Sequence, residues 1–170
     1  MTFDFSSYAD GKTLCTSFLQ QAIDAVPAGG TLLVPAGTYL TGSLFLKSNM
    51  TLELAKDAVI LGVTDDSAYP PLPSRVAGIE LTYWPAGLIN AQNCENLTIC
   101  GEGTIDGQGE YWWYKFWGPP EENHQGGMIR EYPGNLRWAV DYDCFRPQNI
   151  LIGNCKNVTL RDFHCERSGF

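Results

Sequence analysis

With 170 residues, 44% of them apolar, the chain is long enough to bury one sizeable core. Eleven basic against nineteen acidic residues leave a net charge of −8, which argues against a nucleic-acid partner, because phosphate binding needs clustered Lys and Arg, and means that an anionic ligand has to be met by a local basic patch. No apolar run reaches the length of a membrane span, so no membrane partner is expected.

The first residues show neither a basic n-region nor an apolar h-region, so no signal peptide is read and a cytoplasmic location is expected. Residues 13–26 then give a convincing helix. Phe18, Leu19, Ala22, Ile23 and Val26 form an apolar stripe, Thr13 or Thr16 offers an N-cap, and Pro27-Ala-Gly-Gly ends it. From Thr31 the pattern changes to strands of three to five residues: TLLVP, GTYL, SLFLK, MTLEL and AVILG, turned by Gly37, Gly42, Asn49 and Gly62.

Short strands of this kind suit either an antiparallel sandwich or a stack of coils. Two-residue Asn-Gly or Asp-Gly hairpin loops between alternating strands are missing, which weighs against the sandwich. A repeat weighs for the stack. Asn93-Cys-Glu-Asn-Leu-Thr-Ile99 returns as Asn154-Cys-Lys-Asn-Val-Thr-Leu160, with a shorter echo at Ser48-Asn-Met-Thr-Leu52. The expectation is an all-β solenoid in which Asn96 and Asn157 stack on adjacent coils, with Cys94 near Cys155 and Glu95 beside Lys156. Helix 13–26 caps the first coil.

Two stretches interrupt the repeat. Residues 63–87 hold four of the ten prolines, and residues 108–147 hold four of the five tryptophans and three of the six arginines. Both are read as excursions from the stack, and long loops in a compact domain are usually functional. The six cysteines (15, 94, 100, 144, 155, 165) lack zinc-site spacing, so no zinc site is expected. Cys94 and Cys155 suit buried thiols. The Asn-x-Thr sequons at Asn49, Asn96 and Asn157 are read as turn asparagines.

The chain resembles glycoside hydrolase family 28, the polygalacturonase-like enzymes of the pectin-lyase-like superfamily. The resemblance is carried by Asp10-Gly11-Lys12, Gly29-Gly30-Thr31, VPAGTYLTGSLFLKSNMTLEL at 34–54, Tyr69-Pro70, GEGTIDGQG at 101–109 with Trp112-Trp113, and Arg146-Pro147. It implies a right-handed parallel β-helix with an N-terminal capping α-helix, truncated at its C-terminal end, so that 1–170 is a single incomplete domain. It also implies an inverting hydrolase of pectin-type polysaccharide or oligogalacturonide, the backbone being either galacturonan or rhamnogalacturonan, with no cofactor. The family's catalytic Asn-Thr-Asp, Asp-Asp and Gly-His-Gly motifs do not occur in their places in this sequence. Catalytic residues are therefore expected beyond Phe170, the chain alone is expected to be inactive, and its last strand to be open to self-association.

The substrate-binding candidates lie in the second excursion. Arg130, Arg137 and Arg146 present guanidinium forks suited to a carboxylate, with Trp138 beside them. Asp141 and Asp143, taken as i and i+2 of a strand, would share a face at about the separation that an inverting pair needs, roughly 6.5 Å. Pairing with the arginines to order the loop, or contact with substrate, is the reading preferred for them over catalysis. Asp106 reads as a turn aspartate, and His124 and His164 as an exposed and a structural histidine. Tyr111, Trp112, Trp113, Tyr114, Phe116 and Trp117 divide between sugar stacking and packing. Other readings are a polysaccharide lyase on the same fold, which would want a calcium-binding carboxylate cluster, and a non-catalytic carbohydrate-binding or structural β-helix.

Overall fold

The structure, a computed structural model, describes residues 3–76, 79–123 and 126–170, so His124 lies outside it. Its elements begin with β1 (Asp10–Leu14), α1 (Thr16–Ala25), β2 (Gly30–Val34), β3 (Gly37–Thr41), β4 (Leu44–Phe45), β5 (Met50–Leu54) and β6 (Ala58–Gly62). There follow β7 (Pro71–Val76), β8 (Ile79–Pro85), β9 (Ile89–Gln92), β10 (Glu95–Gly101) and β11 (Thr104–Asp106). Then come α2 (Gly109–Trp117), α3 (Val140–Asp143), β12 (Ile150–Gly153), β13 (Lys156–Leu160) and β14 (His164–Glu166).

Among the described residues the strands form three parallel sheets wound as a right-handed parallel β-helix. Sheet A runs β1-β3-β6-β11-β14, sheet B runs β2-β5-β10-β13, and sheet C runs β4-β9-β12. Each coil places alternate residues inward. Leu32, Leu52, Ile99 and Leu160 stand in register in sheet B. Tyr39, Ile60, Ile105 and Cys165 do so in sheet A, and Leu44, Ile89 and Ile150 in sheet C. These inward columns are the core. A fully buried Leu or Ile rung contributes about 1.5–3 kcal/mol. Leu160 and Cys165, on the last coil, are exposed where their column mates are buried.

The corner between sheets C and B is turned by asparagine. Asn49, Asn96 and Asn157 have φ of 58°, 54° and 55°, the left-handed region that Asn tolerates better than other side chains. Their amides make a ladder along the axis. Asn96 Nδ2 donates to Asn49 Oδ1 at 2.8 Å, and Asn157 Nδ2 donates to Asn96 Oδ1 at 3.0 Å. Glu95 pairs with Lys156, so the stacking expected from the repeat is present. At Gly101 the chain turns with φ 111°, and a Cβ there would lie 2.0 Å from the Leu54 carbonyl oxygen. Only glycine fits.

Helix α1 packs Leu19, Ala22 and Ile23 onto the first coil, flanked by buried Cys15 and Val26. Phe18 stays partly buried under Phe5 and Tyr8, with ring centroids 5.1 and 4.5 Å away. Neither threonine caps the helix. Cys15 is the N-cap residue and makes no side-chain cap bond. Thr13 Oγ1 donates to Asp10, while Thr16 Oγ1 accepts from Gly42 N at 2.8 Å. Strand β1, running to Leu14, has already committed these hydroxyls to its own turn and to the next coil. Gln20 does what the sequence did not reveal: its Oε1 accepts from Phe45 N at 2.8 Å and its Nε2 donates to Phe45 O at 3.0 Å. One side-chain amide thus satisfies the first strand of sheet C as a neighbouring strand would.

Both long interruptions leave the stack at one corner, between sheets A and C. There β3 and β4 are joined by residues 42–43, β6 and β9 by 63–88, and β11 and β12 by 107–149. The first insert carries an antiparallel pair, β7 with β8, although the sequence argued against hairpins. Its prolines sit at the strand ends, Pro71 opposite Pro85, and at Pro73, inside the register shift between Leu72 and Ser74. Those are the positions where a missing N–H does least harm.

Candidate functional site

Sheet C and the β7–β8 pair enclose an open cleft of about 680 Å³. Its floor is β12 and the following Asn154 with Gln92 of the coil below, and its wall is Ser74, Arg75, Glu80 and Thr82. The floor is held by side chains buried beneath it. Asn90 donates to the carbonyls of Leu44 at 3.1 Å and Gly87 at 2.7 Å and accepts from Gly87 N at 2.8 Å. Asn149 donates to Glu166 O at 2.6 Å, tying the entry of β12 to sheet A. Opposite Gln92 stands Gly153, where a Cβ would lie 2.3 Å from Gln92 Oε1. The missing side chain lets the glutamine lie across the floor. The Ser74 hydroxyl is buried and has no partner among the described residues. Amides, hydroxyls, one cation and one anion on a rigid sheet make a surface for a polar, hydroxyl-rich ligand. Glu80 is the lining carboxylate among the described residues, and one carboxylate does not make an acid–base pair.

The residues singled out in 130–146 lie outside this lining. Residues 140–143 form a single helical turn and not a strand. Residues two apart on a helix point to opposite sides, so Asp141 and Asp143 do not share a face. Asp141 pairs with Arg146 at 3.0 Å. Asp143 accepts from the Tyr132 hydroxyl at 2.5 Å, which pushes the Tyr132 phenol up to about 12. Arg146 is buried. Its guanidinium lies 4.1 Å from the Phe116 ring centroid and 4.7 Å from that of Phe170, and burial lowers its pKa from the usual arginine value. It anchors the insert from within. Arg130, Arg137 and Trp138 are exposed on short 3-10 turns.

Helix α2 divides its aromatics. Trp112 and Phe116 are buried, and Trp112 Nε1 donates to Gly107 O at 3.2 Å. Tyr111, Trp113, Tyr114 and Trp117 are partly exposed. Lys115 joins the two inserts, pairing with Asp66 and donating to Phe145 O at 3.1 Å. Asp106 accepts from Gln108 N at 2.9 Å, as a turn aspartate does, and its carboxylate is also gripped by Arg167 through Nε at 2.9 Å and through Nη2. Sequence reading missed Arg167, although Asp106 stands in register with Glu166, the residue before it.

A second groove, of about 740 Å³, crosses the outer face of sheet B over the threonine column Thr31, Thr51, Thr98 and Thr159. Glu53, Glu102 and Asp162 border it, and its Arg161 is paired with Asp162. This groove disfavours a polyanion. Among the described residues no cluster of three or more His, Cys, Asp and Glu gathers to hold a metal ion, and no helix is long and apolar enough to cross a membrane.

No family model matches the chain. It is 42% identical over 125 residues to a probable polygalacturonase of Vitis vinifera, which covers 68% of the chain and 26% of the relative. It is 41% identical over 113 residues to an exo-poly-alpha-D-galacturonosidase of Dickeya chrysanthemi, covering 62% of the chain and 19% of the relative. Among solved structures it resembles the family 28 exopolygalacturonase of Yersinia enterocolitica, with a TM-score of 0.75 at 29% identity, over 98% of this chain and 34% of that one. The chain therefore spans about a quarter or less of the length of these two curated relatives.

Proposed function

The chain belongs to the polygalacturonase-like glycoside hydrolases of family 28, and from that premise we propose that it is part of an enzyme hydrolysing galacturonide bonds in pectin-type polysaccharide. The cleft over sheet C is the observation that carries the reading. It presents amides and hydroxyls for sugar hydroxyls and, in Arg75, a cation for a uronate carboxylate. The groove on sheet B, with its carboxylates, is the poorer home for the same polyanion.

In this reading the 170 residues bind and orient the saccharide, and the carboxylates that protonate the leaving oxygen and activate water are not among them. Inversion needs two carboxyl groups about 6.5–9.5 Å apart across the scissile bond. Among the described residues the sheet C cleft brings Glu80 as its one carboxylate, and Asp141 and Asp143 are engaged by Arg146 and Tyr132. The test uses the purified chain with oligogalacturonides. Calorimetry is expected to show binding that Arg75→Gln weakens about tenfold, the loss of one charge-assisted contact. A reducing-sugar assay is expected to show no turnover. Turnover that survives repurification and vanishes in the Asp141→Asn, Asp143→Asn double variant overturns the reading and moves the chemistry into residues 107–149.

A further inference from the structure

Cys94 and Cys155 occupy equivalent places on neighbouring coils, and both are free thiols. The backbone around them is locked in register. Asn93 N donates to Gly153 O at 2.9 Å, Lys156 N donates to Cys94 O at 2.9 Å, and Glu95 pairs with Lys156. Cys94 N itself donates to Cys155 Sγ at 3.3 Å. Adjacent parallel strands stand about 4.8 Å apart, inside the Cα separation of about 4.4–6.8 Å that a disulfide spans. Cys155 Sγ already points at the lower coil, donating to Ala91 O at 3.4 Å. Cys94 Sγ points one coil further down, to Leu46 O at 3.5 Å. Closing a bond between them requires Cys94 Sγ to turn from its contacts with Leu46 O and Gln92 O towards Cys155, at the loss of weak thiol hydrogen bonds.

We propose that Cys94 and Cys155 are a disulfide-forming pair that staples neighbouring coils beside the cleft when the protein meets an oxidising small-molecule disulfide such as oxidised glutathione. The Cys155 thiolate, on the less buried of the two residues, attacks one glutathione sulfur. A mixed disulfide forms and one glutathione thiolate leaves. The Cys94 thiolate then attacks Cys155 Sγ, forming the intramolecular bond and expelling the second glutathione thiolate. The two protons lost by the cysteines go to the released thiolates, so two protein thiols are oxidised as one glutathione disulfide is reduced to two thiols. Burial, with Cys155 beside it, raises the Cys94 pKa, so closure speeds up as pH rises. The staple links residues 61 apart and holds the floor residues Gln92, Gly153 and Asn154 that immediately precede the pair. Cys15, Cys100 and Cys144 are buried, and burial pushes all three thiols up, Cys15 to about 11. They do not compete. Cys165 is exposed and does.

The experiment takes the whole chain carrying Cys165→Ser, incubates it with oxidised glutathione, and maps its peptides by mass spectrometry without reduction. The expected result is a Cys94–Cys155 cross-link with the mass of two hydrogens lost. Its melting midpoint is expected to rise by about 5–10 °C, the effect of closing a long loop in the unfolded chain. The rise is reversed by dithiothreitol, and in the Cys94→Ala, Cys165→Ser protein glutathione stays on Cys155. A natively folded Cys165→Ser chain that keeps glutathione on Cys155 with Cys94 reduced, or that links Cys94 to another cysteine, overturns the proposal.

Discussion

Asn96 sits at the centre of the side-chain ladder, bonded below to Asn49 and above by Asn157. Asn96→Ala leaves in the left-handed region a side chain that cannot bond locally as asparagine does, and breaks two rungs. It is expected to cost about 1–2 kcal/mol in urea titration, whereas Asn96→Gly relieves the backbone part and not the rungs. Equal losses for the two variants would mean that the backbone conformation contributes nothing. Asp10 carries a pH prediction. Its carboxylate accepts from the backbone of Thr13 and Lys12, both at 2.8 Å, and from the Thr13 hydroxyl, which hold its pKa at about 2 against 3.8. A depressed folded value contributes stability above the unfolded pKa and loses it as pH falls through the folded one. The melting-temperature advantage over Asp10→Asn should therefore shrink from about pH 5 to about pH 2; an advantage unchanged over that range contradicts this role. The asparagine column is legible in the sequence because one residue type recurs at this corner, where the backbone takes positive φ on each coil. Pairing of Asp141 with an arginine is legible in the sequence and is found with Arg146, whereas the strand spacing taken for Asp141 and Asp143 is not, because the same Asp-Tyr-Asp string serves a strand and a helical turn.

Among elements, α1 is legible from its apolar stripe, and its docking can be measured. Ile23 is 1% exposed, so Ile23→Ala is expected to cost about 2–5 kcal/mol in a denaturant titration. A loss under about 0.5 kcal/mol would show an undocked helix. The way α1 meets sheet C is not legible. Gln20 looks like any polar residue on a helix face, and its role appears only when Phe45 is placed beside it. The β7–β8 pair hides for a related reason. Its prolines argue against a central strand, and nothing local says that this ribbon lies outside the main sheets, where prolines at its ends and at a bulge are tolerated. The cleft inherits that blindness, since its wall is this ribbon and its floor a strand read only as part of the repeat.

For the whole molecule the repeat is the legible quantity, because Asn96 and Asn157 lie 61 residues apart and Asn49 and Asn96 lie 47 apart, yet all three share one column. Gly30 and Met50, 20 residues apart, pair in the same sheet. Coil length thus varies while strand register does not, and the difference is taken up where sheet A gives way to sheet C. Polymer physics makes such insertions cheap, each doubling of a flexible loop adding only about 0.6 kcal/mol of closure entropy. That corner consequently behaves as a graft site. A segment of new length and chemistry can replace the outer part of residues 107–149 provided the buried Trp112 and the bonds of Gly107, Gln148 and Asn149 to the neighbouring coils are kept, because the strand pairs themselves do not involve it. Wall and scaffold can then diversify at different rates, with ligand preference rewritten at a splice while the winding of the coils stays as it was.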